Sequence, residues 1–118
     1  MNVKENLIQN MSFAFSLRII ELYRKLVDEK EFVISKQILI SGTGVGANVE
    51  EAIGAISRKE FVSKLSIALK EARETKYWLR LLDRSQIIAF DYSDYLNDVE
   101  AIENVLTKII KTAQLSRP

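Results

Sequence analysis

The chain of 118 residues has no cysteine and no histidine, and only one proline, one tryptophan and four glycines. The first absence excludes disulfides, thiolate metal sites and a cysteine nucleophile, and it fits a reducing compartment. The second excludes an imidazole general base, a Ser-His-Asp triad, the common zinc sites and the Glu-x-x-His pairs of di-iron bundles. No apolar run approaches the roughly 20 residues of a membrane span. Residues 1–10 lack the basic-then-apolar layout of a secretory leader, so no membrane association and a cytoplasmic location are expected. Neither sign of charge dominates: 17 Lys and Arg stand against 16 Asp and Glu, a formal net charge of +1. Net charge therefore gives no prediction of affinity for a polyanion.

What is present is helical pattern. With 47% hydrophobic and 28% charged residues, residues 1–118 read as one domain, long enough to bury about two thirds of its unfolded surface. Apolar residues recur in four-three steps, and no alternation lasts long enough for a half-buried strand. Four helices with short connections predict an all-α fold, an up-down-up-down antiparallel four-helix bundle. The first helix is expected from about Asn10 or Ser12 to Glu29, with Ser12 as N-cap. It carries one stripe of Phe15, Ile19, Leu22 and Leu26 and a second, nearly opposite, of Phe13, Leu17, Ile20 and Val27 interrupted by Arg24. After Lys30 to Ser35 the chain returns antiparallel. The third helix opens on the capping box Ser57-Arg58-Lys59-Glu60 and ends near Arg84. In the connector, Ile87, Ile88 and Phe90 are expected to cover the bundle end. The fourth starts at Asp91 or Ser93 with the seam Tyr95, Val99, Ile102, Leu106, Ile109 and Ala113, and the residues beyond Ala113 are expected to fray.

Three of the four glycines fall in Ile38-Leu39-Ile40-Ser41-Gly42-Thr43-Gly44-Val45-Gly46-Ala47-Asn48. An apolar strand followed by a glycine-rich phosphate loop is one reading. The spacing is G-x-G-x-G, however, and no second strand follows to complete a βαβ unit. A continuous second helix fits better, because Ile38, Gly42, Val45, Val49, Ala52 and Ile56 keep the four-three step through the glycines. Three mid-helix glycines cost roughly 2–3 kcal/mol relative to alanine. Close helix packing at Gly42, Gly44 and Gly46, against a neighbouring backbone or a ring such as Trp78, is the expected compensation.

The third helix is written on three faces. Phe61, Leu65, Ala68, Ala72, Thr75, Leu79 and Leu82 form the seam a core needs. Ile67, Glu71, Glu74, Trp78 and Leu81 form a second, about 120° away at 3.6 residues per turn. Together with Phe13, Leu17 and Ile20 they are candidates for an oligomer interface, since a monomeric bundle needs one stripe per helix. Glu50, Glu51, Glu71 and Glu74 leave open an all-carboxylate magnesium or calcium site. The alternative is ion pairs with a neighbouring helix or subunit, and no metal or other cofactor is expected. The third face, Lys70, Arg73, Tyr77, Arg80 and Arg84, spans about 21 Å at 1.5 Å per residue and is a candidate RNA or DNA contact. Residues 58–84 hold eight basic and four acidic side chains, residues 91–113 two basic and five acidic. Acids of helix four are thus the competing partners for that stripe.

The run Ser41-Gly42-Thr43-Gly44-Val45-Gly46-Ala47-Asn48-Val49-Glu50-Glu51-Ala52 and the run Glu60 to Leu79 resemble the bacterial four-helix-bundle proteins, also called 23S rRNA intervening-sequence proteins. The resemblance extends from about Phe13 through helix four. It implies a small cytoplasmic bundle assembling as a homopentamer. The chain is also similar to the accessory proteins of diversity-generating retroelements, basic pentamers that bind nucleic acid and a reverse transcriptase, from which its near-neutral charge departs. Two functions are expected: a non-catalytic, nucleic-acid-associated assembly protein, or an interaction scaffold that acts through a protein partner.

Overall fold

The computed structural model describes residues 2–115, and within them the chain forms four helices and no strand: α1 (Val3–Asp28), α2 (Ile34–Ile53), α3 (Arg58–Ser85) and α4 (Ser93–Leu115). Each helix packs on its two neighbours around the bundle, α1 also meeting α4, and the Cα atoms of the diagonal pairs stay more than 8 Å apart. The result is an up-down-up-down antiparallel bundle about 52 × 20 × 19 Å. No helix among the described residues is long and apolar enough to cross a membrane. The expected fraying concerned residues beyond Ala113; the helix continues to Leu115, and residues 116–118 lie outside the described residues.

The core is made by the stripes expected from spacing, except that Ile56, expected to continue the α2 seam, lies beyond the end of that helix at Ile53 and is 96% exposed. Leu65, Ala68, Ala72, Thr75, Leu79 and Leu82 of α3 are buried, as are the six seam residues of α4. On α1 the stripe extends down to Ile8 and Ser12. Ser12 is therefore not the N-cap: α1 begins nearly three turns earlier, where Asn2 Oδ1 accepts from the Glu5 amide at 2.8 Å, and the Ser12 hydroxyl donates to the Gln9 carbonyl inside the helix. Ser57 does cap α3, its hydroxyl accepting from the Glu60 amide at 3.0 Å. The Glu60 carboxylate accepts from the amide of Ile56 rather than that of Ser57, so the reciprocal half of the capping box is displaced by one residue.

The connections are closed by specific polar contacts. Beyond α1 the Lys30 amide donates to Val27 O and the Glu31 amide to Leu26 O, a Schellman closure with Lys30 in the left-handed region at φ 66°. The Glu31 carboxylate then accepts from the amides of Val33, Ile34 and Ser35, placing a negative charge on the N-terminus of α2. Gln86, at φ 49°, ends α3, and its side chain bridges Asp83 and Phe90. Tyr92, in the connector, is fully buried and donates its hydroxyl to Ile88 O. Ile88 and Phe90 pack on the core, whereas Ile87 is exposed.

Candidate nucleic-acid interface and association face

The helix α2 runs unbroken through its glycines, with no glycine in the left-handed region. Space explains them. A Cβ at Gly42 would lie 2.8 and 2.9 Å from the γ carbons of Ile19, and one at Gly46 would lie 3.1 Å from Ser16 Oγ and 3.3 Å from the Ser12 carbonyl oxygen. Gly42 and Gly46 share the face that α1 covers, so the two backbones approach closely there. At Gly44 the neighbour is on α3: a Cβ would sit 2.6 Å from Glu71 Oε2. The groups nearest the glycines are thus Ile19, the Ser12 and Ser16 turn and the Glu71 carboxylate, and not the Trp78 ring that spacing had suggested.

Glu71 lies half-buried against α2, and burial raises its carboxyl above the ordinary range, with the Glu74 charge adding to the shift and Lys70 opposing it. Glu74 is exposed and accepts from Trp78 Nε1 at 3.1 Å. Glu50 accepts from Gln9 and Glu51 pairs with Lys64 at 2.9 Å. Three of the four glutamates thus have three different partners, only Glu51 in an ion pair, while Glu71 lies against Gly44; among the described residues no group of three acids converges as a cation site.

Two surfaces remain uncovered by the chain itself. One is apolar and centred on α2. Phe13, Leu17 and Ile20 of α1 are exposed, Phe13 by 65%; Ile40 of α2 is exposed by 56%; Ile67 and Leu81 of α3 are also open, with Trp78 half-buried between the turns. Between the α1 and α3 ridges lie the small residues Gly44 and Ala47. The outward positions of α4, in contrast, are mostly polar, among them Asn97, Glu100, Asn104, Lys108 and Lys111.

The second surface is the basic stripe. Lys70, Arg73, Tyr77, Arg80 and Arg84 are all exposed, on the side of α3 away from the core. Four other cations of the chain are paired: Arg18 with Asp98, Lys25 with Glu29, Lys64 with Glu51, and Lys76 with Glu103 of α4. None of the four cations in the stripe has a carboxylate within 4 Å among the described residues. The acids of α4 thus reach Lys76, at the edge of the helix, and leave the stripe unneutralised. Tyr77 meets the edge of Trp78 with ring centroids 5.2 Å apart. This contact sets the aromatic pair at the boundary between the two surfaces.

The family described as 23S rRNA-intervening sequence protein matches residues 4–108, which takes in nearly all of α1, all of α2 and α3 and most of α4. The chain belongs to this family. Its fold is also similar to the crystal structure of a protein of unknown function from the S23 ribosomal protein family of Bacteroides thetaiotaomicron VPI-5482. The two chains are 50% identical with a TM-score of 0.89, over 92% of this chain and 99% of that one. Among curated proteins none matches. Family membership covers both candidate surfaces, since the apolar ridges and the basic stripe lie within the matched residues.

Proposed function

We propose that this protein is a non-catalytic assembly protein that binds structured RNA along the basic stripe of α3, its copies associating through the apolar face around α2. The observation that supports it is the alignment of charge: Lys70, Arg73, Arg80 and Arg84 are exposed in one row along α3, and none of them forms an ion pair among the described residues. Four cations over about 21 Å of helix span several phosphate spacings. Tyr77, exposed by 54%, is placed among them to stack a base. In an assembly several copies of the stripe act together, so a weak contact per protomer adds through multivalency without a large net charge. The family resemblance supports a homopentamer, for which five chains of 13.5 kDa predict about 68 kDa by light scattering.

Titration of structured RNA at several salt concentrations tests the RNA reading. The triple variant Arg73→Gln, Arg80→Gln, Arg84→Gln is expected to keep helicity and mass while binding more weakly and with a flatter salt dependence. Equal binding by the variant, or no salt-sensitive binding by the parent near 0.1 M salt, would remove it. The exposed apolar face favours a second reading, an interaction scaffold that engages a protein partner, which then takes its place.

A further inference from the structure

The two apolar ridges that flank α2 differ in charge. The α1 ridge of Phe13, Leu17 and Ile20 continues into Arg24, whereas the α3 ridge holds Glu71 and Glu74 between Ile67 and Trp78. Arg24 is exposed and has no ion-pair partner among the described residues; neither has Glu71 or Glu74. Lys70 is near enough to bias Glu71 but does not pair with it. A face that is otherwise apolar therefore presents a lone cation on one side and two anions on the other.

The helix α2 fixes the relative height of these groups. Gly42 meets Ile19 and Gly46 meets Ser12 and Ser16 on one side, while Gly44 meets Glu71 and Ser41 meets Thr75 on the other. Since α1 and α3 run in the same direction, these contacts put Leu17 about level with Glu71 and Ile20 with Glu74, and continuing both helices by one turn brings Arg24 level with Trp78. A second copy moved sideways without a rise would bring its α1 ridge onto α3 in this same register. Arg24 would then lie over the indole with the Glu74 carboxylate one turn away, both within reach of a guanidinium. Pairing like ridges does worse: α1 on α1 gathers two arginines, and α3 on α3 gathers four carboxylates, whose dehydration without a cation is costly.

We propose that copies of this chain associate heterologously, α1 of one protomer against α3 of its partner, with Arg24 of the first held by Glu74 and Trp78 of the second. Because the two patches differ, the contact repeats from copy to copy and closes into a ring when the rotation allows, rather than stopping at a twofold dimer. The inference rests on the association reading above and specifies its register and partners.

Charge reversal tests it. Both residues are exposed in the free chain, so neither Arg24→Glu nor Glu74→Arg removes a core contact. Light scattering is expected to show a multi-subunit parent, at least a tenfold weakening of association in each single variant, and recovery of the parent mass in the double variant. Trp78 is the sole tryptophan, so its emission supplies a second reading. It is expected to shift to shorter wavelength as the parent assembles and not to shift in Arg24→Glu. A monomeric parent would sink the association reading and this inference together. An assembling parent whose single variants keep its mass would leave association standing and overturn the pairing. The pairing is equally overturned if folded single variants dissociate and the double variant does not recover.

Discussion

Ile19 of α1 occupies the space that a side chain at Gly42 of α2 would need: a Cβ there would sit 2.8 Å from Ile19 Cγ1 and 2.9 Å from Cγ2. Ile19 is branched at Cβ, and its γ carbons cannot move without the stiff χ1 torsion or the backbone moving too. Helix propensity favours Gly42→Ala by up to about 1 kcal/mol, while overpacking costs roughly 1–3 kcal/mol. The expected outcome is a destabilised alanine variant and a far more damaged Gly42→Leu. Thermal melts of the two beside the parent decide it, and a more stable alanine variant would show that α1 yields easily.

At Gly44 the opposing group is the tip of a glutamate, which can swing aside. Gly44→Ala is accordingly expected to fall within about 0.5 kcal/mol of the parent or above it, since the gain in propensity is opposed only by a rotamer change of Glu71. Denaturant midpoints for the two alanine variants should differ in sign if side-chain flexibility sets the outcome.

Between α2 and α3 the Thr75 hydroxyl lies 2.8 Å from the Ser41 hydroxyl and 2.8 Å from the Glu71 carbonyl oxygen, in a buried seam. Thr75→Val keeps the volume and removes the polar contact. It is expected to cost about 1 kcal/mol, and less when Ser41→Ala is also present, because no buried hydroxyl is then left without its partner. A double-mutant cycle in urea measures the coupling, and strict additivity would show that the two hydroxyls do not interact.

Tyr92 gives the bundle an alkaline limit. Burial pushes its phenol up to about 12, with the charges of Glu29, Asp83 and Glu31 acting in the same direction. In the unfolded chain a tyrosine titrates near 10. Below that value both states keep the proton and the full contribution of Tyr92 is present. Between pH 10 and 12 the unfolded chain releases the proton first, so the contribution is lost as pH rises. Tyr92→Phe gives up the bond to Ile88 O, about 0.5–1.5 kcal/mol, and should flatten this alkaline decline in melting temperature. A decline as steep as the parent's would place the sensitivity elsewhere.

Ser12 and Ser57 separate a core serine from a capping one. Ser57→Ala removes the acceptor of the Glu60 amide and is expected to cost about 0.5–2 kcal/mol. Ser12→Ala removes only a hydroxyl that bonds back to a carbonyl of its own helix, and should cost about 1 kcal/mol or less. Urea denaturation of both variants ranks them, and a larger loss at Ser12 would contradict the assignment.

Where a residue's role depended on period, the sequence was legible. The four-three steps identified the buried seams of α3 and α4, the upper part of the α1 stripe and the continuity of α2 through Gly42, Gly44 and Gly46. Legibility failed where a polar residue sits on an apolar stripe. Ser12 looks like a cap because serine usually is one, yet its place in the row Ile8, Ser12, Phe15 is what decides, and it bonds inside the helix. The connectors were the second difficulty. Tyr92 and Glu31 lie outside any repeat, so neither the full burial of one nor the triple amide contact of the other had a periodic signature. The basic stripe was visible as a pattern, but its lack of ion pairs was not, because spacing alone cannot tell which cations the acids of α4 reach. Nor does spacing align one helix with another; the common level of Arg24 and Trp78 emerges only from the contacts that α2 makes on both sides.

The distribution of glycine in this bundle inverts the usual guide to engineering. Among the described residues, the two left-handed positions, where glycine has no steric penalty, hold Lys30 and Gln86, while the helix interior that alanine would favour holds three glycines. A consensus-style campaign that rewards alanine in helices and leaves loops alone would therefore damage the α1–α2 contact and overlook a gain at Lys30, whose side chain forms no ion pair among the described residues. Gln86 is the exception that defines the limit, since its amide ties α3 to Phe90 and a glycine there would trade that tether for backbone ease.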